Sequence, residues 1–270
     1  MLTLNDNDFH RLVQFIHQNY GIDLSKKRQL ITGRLSNTIV SMGFHSFQEY
    51  IDHLLKNQKP DDLELMLNKL TTNYTFFMRE ETHFKLFKET ILPYLEKEKK
   101  DHVLSIWSAG CSSGEEPYTI SIILKEYFGA KAGMWDTRVL ATDISQNALR
   151  AAKNAVYDED SLKELSPELK RKYFTPTSEA GVYTVSDSLK KNVIFRTFNL
   201  MDPIRFRLKF DVIFCRNVMI YFDQPTKEAL VKRFYNATNP GGYLLIGHSE
   251  GLNKTTCPYK YLMPATYRKI

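Results

Sequence analysis

Residues 102–128, HVLSIWSAGCSSGEEPYTISIILKEYF, contain the pattern that decides the fold. A short apolar run ends in the small residues Ser108–Gly110, and a second apolar segment begins at about Pro117. The run predicts a buried strand, and Pro117 suits the first turn of a helix. Small residues between them let a ligand approach the backbone, and a helix N-terminus offers free N–H groups. The same pattern also fits a tight turn that only packs helix on sheet, so both interpretations stay open here.

The turn between these two elements carries two carboxylates, Glu115 and Glu116. Its spacing is not GxGxxG, the fingerprint of dinucleotide-binding folds. The two negative charges would also repel a bound pyrophosphate. The turn therefore favours a ligand without phosphates, such as S-adenosylmethionine, over NAD or FAD.

Further along the chain, apolar runs alternate with helical patterns. This rhythm predicts a largely parallel, doubly wound sheet. It breaks between residues 160 and 192, where GVYTVSDSLKKNV (181–193) predicts a short hairpin insertion with its turn near Asp187-Ser188. The predicted strands are TRVLATDIS (137–145), NVIFRTFNL (192–200), FDVIFCRN (210–217), YLLIGHS (243–249) and a last strand in KYLMPATYRKI (260–270), with helices in QNALRAAKNAVY (146–157) and EALVKRFYNATN (228–239).

The first hundred residues are predicted to be helical. Gly21 is a candidate C-terminal stop for the first helix. Ser46 and Glu49 form a capping-box pattern, in which each side chain accepts a backbone N–H of the other residue. The predicted helices begin near Phe9, Ser25, Ser46, Pro60 and Phe84, and a charged linker, EKEKKD (96–101), follows the last one.

Polar residues follow the predicted strands where open α/β sheets bind ligands. Asp143 ends the second strand, where a carboxylate can accept hydrogen bonds from both ribose hydroxyls of an adenosine. Asp143 could instead only cap the next helix. Asn199 closes the third strand, and Arg216-Asn217 closes the fourth.

Composition excludes several classes of protein. Hydrophobic residues make up 43% of the 270 residues and charged residues 25%, which is ordinary for a folded protein. No apolar run reaches the roughly 18 residues of a membrane span, and the N-terminus lacks the pattern of a secretory signal. Three cysteines do not make a disulfide framework, so we expect a cytoplasmic chain without membrane insertion. The net charge of +6 favours an acidic partner without indicating nucleic acid.

Six segments together resemble the CheR-type chemotaxis receptor methyltransferases. They are LTTNYTFFMRE (70–80), SAGCSSGEEPY (108–118), ATDIS (141–145), FNL (198–200), FDVIFCRNVMIYF (210–222) and GGYLLIGHSE (241–250). The resemblance implies S-adenosylmethionine as methyl donor, S-adenosylhomocysteine as product and receptor glutamate γ-carboxylates as acceptors. It implies an α/β, Rossmann-like methyltransferase domain with a small antiparallel β insertion, preceded by an all-α domain. The partner would be the cytoplasmic helical bundle of methyl-accepting chemoreceptors, methylated for chemotactic adaptation by a monomeric enzyme.

The resemblance also assigns domains and site residues. The helical domain would span residues 1–72, a linker and connecting helix 73–100, and the methyltransferase domain 101–270, with the insertion at about 175–193. Arg79 and Tyr221 would lie nearest the methyl-transfer centre. The residues around the cofactor would be Asn73, Thr75, Arg79, Gly110, Glu115, Asp143, Asn199, Leu200, Arg216 and Asn217. Whether Arg79 orients a carboxylate of the substrate or of the cofactor stays open.

A basic cluster near the N-terminus has two interpretations. Lys26, Lys27, Arg28 and Arg34 are predicted to share one helix. Such a cluster is ordinarily a solvated face, but the resemblance favours docking, because receptor methylation helices carry clustered carboxylates. A compact insertion with Gly181 as its only loop glycine favours receptor contact over tight capture of a receptor's C-terminal tether.

Other chemistries find less support in the sequence. Gly247–Gly251 matches the GxSxG elbow of hydrolases, but residues 252–270 contain no Asp, Glu or His to complete a triad. A turn bordering the ligand crevice is the preferred interpretation. The motifs of amino-methylating and cytosine-methylating nucleic-acid enzymes are missing, and no Cys/His spacing fits zinc, so we expect no metal. A methyltransferase of small molecules and a non-catalytic nucleoside-binding regulator remain as alternatives.

Overall fold

The computed structural model describes residues 2–71 and 74–270. The chain divides into two compact units. The first unit takes in the chain up to residue 73 together with Tyr221–Lys227, and the second takes in Tyr74–Ile220 and Glu228–Ile270. Within the described residues, no helix combines the length and apolar character needed to cross a membrane.

The first unit is helical, as the sequence predicted. Gly21, with φ of 71°, ends the first helix and donates its N–H to the carbonyl of His17. The apolar faces of these helices meet in a core that includes the fully buried Leu12, Ile31 and Ile51. The helices are α1 (Asp6–Tyr20), α2 (Arg28–Ser41), α3 (Phe47–Asn57) and α4 (Pro60–Leu70).

Two helix starts differ in detail from the prediction. Helix α2 begins at Arg28 rather than near Ser25, because a turn precedes it, in which Lys27 donates its N–H to the carbonyl of Leu24 at 2.9 Å. At α3, the Ser46 hydroxyl accepts the Glu49 N–H at 3.1 Å, as a capping box requires. The Glu49 carboxylate, however, accepts the N–H of His45 at 2.8 Å, one residue before the expected donor.

The second unit alternates strands and helices. Its helices are α5 (Glu81–Leu86), a π-helical turn (Phe87–Ile91), α6 (Leu92–Glu98), α7 (Glu115–Phe128), α8 (Gln146–Asn154), α9 (Pro167–Tyr173), α10 (Asp187–Lys190) and α11 (Gln224–Ala237, whose first residues belong to the first unit). Short 3₁₀ turns lie at Gly129–Met134, Asp160–Leu162 and Met219–Tyr221. Its strands are β1 (Ile106–Ala109), β2 (Val139–Asp143), β3 (Val156–Asp158), β4 (Phe174–Pro176), β5 (Val182–Val185), β6 (Val193–Thr197), β7 (Phe210–Cys215), β8 (Thr238–Ile246), β9 (Lys260–Met263) and β10 (Thr266–Arg268).

The main sheet has seven strands in the order β6-β2-β1-β7-β8-β10-β9. The pairs from β6 to β8 are parallel, and β10 pairs antiparallel with both β8 and β9. Strand β1 is the middle one of the five parallel strands, and its Ser108 pairs with Ala141 on one side and Phe214 on the other. The strand order reverses beside β1, so a ligand crevice is expected outside the carboxyl ends of these strands.

The β insertion differs from its prediction. It is a three-stranded antiparallel sheet in the order β3-β5-β4, so it takes in residues from Val156 onward. The predicted turn at Asp187-Ser188 is wrong: this stretch forms α10, whose N-terminal turn closes on the carbonyl of Ser186. The hairpin turn lies instead between β4 and β5, where Gly181 has φ of 76°.

The C-terminal segment also differs. The single strand expected in residues 260–270 is a hairpin, β9 and β10, with Ala265 at φ of 58° in its turn. The helix predicted over residues 228–239 ends at Ala237, and strand β8 begins at Thr238 and runs through Pro240. Pairing between β7 and β8 shifts register there, so this irregular stretch remains part of the strand.

Candidate active site

The carboxyl ends of β1, β2, β6 and β7 lie along one edge of the sheet, because these strands are parallel neighbours. Backbone hydrogen bonds join the segments that leave this edge. Gly110 and Cys111 donate their N–H groups to the carbonyl of Thr142 at 2.8 and 2.9 Å. Phe198 donates to the carbonyl of Asp143 at 3.1 Å. The predicted site segments from three strand ends are therefore connected.

The turn after β1 requires two of its glycines. Gly110 has φ of 87°, and a Cβ there would lie 2.4 Å from Cγ2 of Val218. Gly114 has φ of 100°, and a Cβ there would lie 2.9 Å from both the Cβ of Ala152 and the hydroxyl of Tyr157. Only glycine adopts such angles at little cost. The turn therefore passes close to the loop after β7 on one side and to α8 on the other.

Asp143 lies at the end of β2 as predicted, and its carboxylate shapes the turn. Its Oδ2 accepts the N–H of Ser112 at 2.7 Å, and its Oδ1 accepts the N–H of Ser145 at 2.9 Å. Burial raises the pKa of this carboxyl, against the lowering effect of the backbone bonds. Each carboxylate oxygen has two lone pairs, so both oxygens retain capacity to accept a hydroxyl.

Arg216, immediately after β7, is the buried centre of an ionic cluster. Its guanidinium donates to Glu116 Oε2 at 3.0 Å, to Glu80 Oε2 at 3.2 Å and to the main-chain carbonyl of Arg79. The guanidinium carbon lies 4.8 Å from the ring centre of Phe84. Its Nε is buried and has no hydrogen-bond partner within the described part of the chain. The cluster ties the end of β7 to α7 and to the segment before α5.

Glu80 brings further site residues into this cluster. It accepts the Nδ2 of Asn217 at 3.2 Å and the N–H of His248 at 3.2 Å, and the Nδ1 of His83 lies 3.3 Å from Oε2. Burial acts to raise the pKa of Glu80, but contacts with His83, Asn217 and His248 and the charge of Arg216 hold it well below the ordinary range. Glu80 is therefore ionised at neutral pH.

The two carboxylates of the turn have different environments. Glu115 is 4% exposed, and its oxygens accept the Ser113 hydroxyl at 3.0 and 2.8 Å. Burial raises the pKa of Glu115 to about 7. Glu116 accepts the Ser108 hydroxyl at 2.6 Å besides its bond from Arg216. Burial raises the pKa of Glu116 as well, although the Arg216 charge opposes it.

Glu80, His83 and His248 are close enough to be considered as metal ligands, since their ligand atoms lie within 4.8 Å of one another. The guanidinium of Arg216, however, lies 3.2 Å from Glu80 Oε2. A metal cation bound to that carboxylate would face this fixed positive charge. The arrangement is better explained as an ion-pair cluster than as a metal centre.

The other predicted residues of the second unit lie on segments that leave the same edge or lead into α5. Arg79 donates from its side chain to the Tyr74 carbonyl at 2.8 Å, and Thr75 is half-buried. The amide oxygen of Asn199 accepts the Met201 N–H at 3.0 Å. Leu200 is buried, and its carbonyl accepts a bond from Arg233 at 2.6 Å. Asn73 lies outside the described residues.

Tyr221 belongs to the first unit. Its carbonyl accepts the N–H of Asp23 at 2.8 Å, and the next residue, Phe222, forms a β-bridge with Ile22. His17 Nε2 lies 3.0 Å from the Asp223 carboxylate. The segment that begins at Tyr221 is therefore held by the helical unit.

The predicted basic cluster does not share one helix. Lys26 and Lys27 are exposed and precede α2. Arg28 pairs with Asp6 at 2.5 Å and lies over the ring of Phe9. Arg34 donates to the carbonyls at the end of α4, Lys69, Leu70 and Thr71, at 3.1 to 3.3 Å. The two arginines thus hold the helical unit together, and the two lysines project from its surface.

Three carboxylates of this site were not predicted as site residues: Glu80, Glu116 and Glu250. Glu250 accepts the N–H groups of Asn217 and Ile220, both at 3.0 Å. Glu80 and Glu250 end two of the motifs that carried the family resemblance, and Glu116 adjoins the predicted Glu115. Their positions in or beside the motifs could have identified them as site residues. Their hydrogen-bond partners could not be identified in this way, because those partners are distant in the sequence.

The donor and acceptor set fits S-adenosylmethionine. The Asp143 carboxylate lies at the end of β2 and has acceptor capacity beyond the backbone bonds it receives, as an acceptor for a ribose diol would need. The glycine turn lets a ligand approach the backbone at Gly110. The edge is rich in carboxyl groups, and Arg216, the cation described at this edge, is already paired with Glu80 and Glu116. This balance suits a cationic sulfonium compound better than a phosphate.

Comparison with known proteins gives the same assignment. The family model "CheR methyltransferase, SAM binding domain" matches residues 73–267, and "CheR methyltransferase, all-alpha domain" matches residues 7–71. A "Chemotaxis protein methyltransferase" of Borreliella burgdorferi is 42% identical over 99% of this chain and 96% of its own. The protein of that name from Escherichia coli is 36% identical over 93% of this chain and 87% of its own.

Solved structures with a matching region include the magnesium protoporphyrin IX methyltransferase of Synechocystis PCC 6803 with bound SAH. It is 14% identical, covers 61% of this chain and 54% of its own, and has a TM-score of 0.32. The assignment rests on the family models and the curated relatives, which agree with the strand order and the edge described above. The chain therefore belongs to the CheR methyltransferase family and is an S-adenosylmethionine-dependent methyltransferase.

Proposed function

We propose that this enzyme methylates specific glutamate γ-carboxylates on the cytoplasmic helices of chemoreceptors and so forms the methyl esters used in chemotactic adaptation. The observation that carries the proposal is a connected, carboxylate-rich cofactor edge in a chain whose curated relatives are named chemotaxis protein methyltransferases. Those relatives match along 93–99% of the chain, so the likeness includes the helical domain as well as the catalytic one.

The proposed cofactor site is the edge at which β1, β2, β6 and β7 end. Asp143 accepts the ribose hydroxyls. The segments around the cofactor contribute Asn73, Thr75, Arg79, Gly110, Glu115, Asn199, Leu200, Arg216 and Asn217. Arg216 acts mainly through the segments it fixes, because two carboxylates and a carbonyl already occupy its terminal nitrogens.

The proposed reaction requires little acid–base catalysis from the protein. When bound, S-adenosylmethionine supplies the methyl group, whose bond to sulfur breaks as a substrate oxygen bonds to the carbon, leaving S-adenosylhomocysteine. A glutamate with a reference pKa of about 4.3 is already ionised at neutral pH, so no general base is needed. Opposite charges are lost in this step, so a dry site helps.

Alignment is then the main contribution of the protein, and it can be worth up to roughly 7–11 kcal/mol. Arg79 and Tyr221 are the residues proposed nearest the transfer centre. Arg79 must orient a carboxylate without holding the attacking oxygen too tightly, since a strongly solvated nucleophile reacts slowly.

Lys26 and Lys27, the exposed members of the basic cluster, are proposed to dock the acidic receptor helices.

Incubation with methyl-labelled S-adenosylmethionine and receptor-containing membranes tests the proposal. We expect label in the receptor band and its release as volatile methanol under mild base, which identifies a carboxyl ester. Membranes whose receptors have the methylated glutamates replaced by alanine are the matched control. Label in nucleic acid or small molecules alone would refute the proposal.

A further inference from the structure

The turn Gly247–Glu250 follows β8 and has no role in the function described so far. The turn closes on itself: the Glu250 N–H donates to the Gly247 carbonyl at 2.9 Å, and the Gly247 N–H donates to Glu250 Oε2 at 2.5 Å. The Glu250 side chain therefore points back under its own turn rather than into solvent.

The same carboxylate binds the neighbouring loop after β7. Oε2 accepts the N–H of Asn217 at 3.0 Å, and Oε1 accepts the N–H of Ile220 at 3.0 Å. Three backbone donors from two loops thus converge on one carboxylate. A ring of backbone N–H groups around an anion is a strong arrangement, because charge-assisted hydrogen bonds exceed neutral ones.

The two loops touch without space for a side chain between them. A Cβ on Gly247 would lie 2.6 Å from Nδ2 of Asn217, 2.8 Å from its backbone nitrogen and 2.9 Å from Glu250 Oε2. Any larger residue at position 247 must push the Asn217 backbone or the carboxylate aside. The contact therefore requires glycine at position 247 if Asn217 and Glu250 are to keep their places.

Asn217 has its backbone in the left-handed region, with φ of 59°, which asparagine tolerates better than most other residues. Glu250 holds the main-chain N–H of Asn217, and Glu80 holds its side-chain amide at 3.2 Å. Two carboxylates thus fix this residue from opposite ends.

We propose that Glu250 is a positioning residue: its carboxylate sets the conformation of the loop Arg216–Ile220, which presents Asn217 to the cofactor. The inference rests on the proposed function, in which Arg216 and Asn217 border the cofactor. In this proposal Glu250 acts through the backbone of the loop, whose N–H groups it accepts, and not by direct contact with the cofactor or the substrate.

The test compares Glu250→Gln with Glu98→Gln, an exposed carboxylate on α6 that serves as matched control. Glutamine keeps the size of the side chain but turns an NH₂ group toward backbone donors. Losing charge-assisted bonds of this kind is expected to weaken S-adenosylhomocysteine binding about tenfold to a hundredfold in calorimetry. Hydrogen exchange should accelerate in residues 216–220 and 246–250 and stay unchanged elsewhere. The control should match wild type in both measurements.

Gly247→Ala provides an independent perturbation of the same contact without removing a charge. Gly247→Ala should also weaken S-adenosylhomocysteine binding and accelerate hydrogen exchange in the same two loops. The double variant should bind S-adenosylhomocysteine no more weakly than the weaker-binding single variant, because both changes break the same contact. Wild-type affinity and exchange in either folded variant would overturn the inference. So would acceleration of exchange throughout the protein, or loss of folding in both variants, since either would show a general structural role.

The binding readout separates this inference from the proposed function. A wild-type enzyme that methylates receptors but is insensitive to Glu250→Gln would refute the inference alone. A wild-type enzyme that binds S-adenosylhomocysteine, loses it on Glu250→Gln and never methylates receptors would refute the proposed function alone.

Discussion

Arg216 donates a hydrogen bond to Glu116 at 3.0 Å, which joins the end of β7 to the first turn of α7. Both side chains are largely withdrawn from solvent, at 2% and 12% exposure. Removing one partner of such a pair leaves a charge buried without full compensation. The pair therefore couples the stability of the fold to the shape of the cofactor edge.

Glu116→Ala is expected to destabilise the protein by about 3 kcal/mol, the lower end for a broken buried pair, because Glu80 still contacts Arg216. Urea unfolding measures the loss. Glu98→Ala, which removes an exposed carboxylate from α6, should change the free energy of unfolding little. Equal effects of the two substitutions would contradict the role given to the pair.

Asp143→Ala should lower S-adenosylhomocysteine affinity roughly tenfold to a hundredfold, since it removes the acceptor proposed for the ribose hydroxyls. Asp143→Asn retains one acceptor oxygen, so its affinity for S-adenosylhomocysteine should lie between those of the wild type and the alanine variant. Isothermal calorimetry gives the affinities. Unchanged binding in the alanine variant would remove Asp143 from the proposed site.

Glu115 should make stability depend on pH in a defined direction. Its pKa in the folded protein is about 7, above the ordinary 4.5, because the group is buried. The folded state thus keeps a proton that the unfolded chain has released. The stability due to this proton is complete below about pH 4.5 and is lost as the pH rises through about 7.

The measurement compares urea unfolding of wild type and Glu115→Gln, which cannot titrate, between pH 5 and pH 8. Wild type should lose up to about 3 kcal/mol relative to the variant as the pH rises. Glu98→Gln, which removes an exposed carboxyl group from α6, is measured in the same way as the control. A flat difference for Glu115→Gln would show that the carboxyl ionises normally.

Reversing the charge of both Lys26 and Lys27 to Glu should raise the apparent KM for receptor and leave cofactor affinity unchanged. The wild-type KM should also rise with salt, because exposed charges are screened over about 8 Å at physiological ionic strength. Lys97→Glu with Lys100→Glu changes net charge equally at another exposed place and is the control. A KM insensitive to both salt and reversal would leave these lysines as a solvated surface.

The sequence predicted the features that depend on neighbouring residues. The strand, glycine turn and helix of residues 102–128 appear as β1 and α7, and Asp143 ends β2. The hydrophobic rhythm of each segment determines such elements locally. The small sheet begins earlier in the chain than predicted, because strands β3 and β4 have only three residues each, too few for a hydrophobic pattern to stand out in the sequence.

The ionic contacts of the site could not be predicted in this way. Glu80 meets Arg216 across 136 positions of sequence, and Glu250 meets Ile220 across 30. No local pattern reports such pairs, because the sheet order brings them together. Arg28 and Arg34 show the converse: they resemble a docking surface in the sequence, but their guanidinium groups are used inside the helical unit.

Tandem mass spectrometry of receptor fragments after incubation with the enzyme and S-adenosylmethionine tests the central claim most directly. The account predicts a single added methyl group on the side chain of particular glutamates in the cytoplasmic helices, and much less of it when Asp143→Ala replaces the wild-type enzyme at a limiting concentration of S-adenosylmethionine. Methylation confined to other residue types, or fragments that stay unmodified while the enzyme binds S-adenosylhomocysteine, would contradict it.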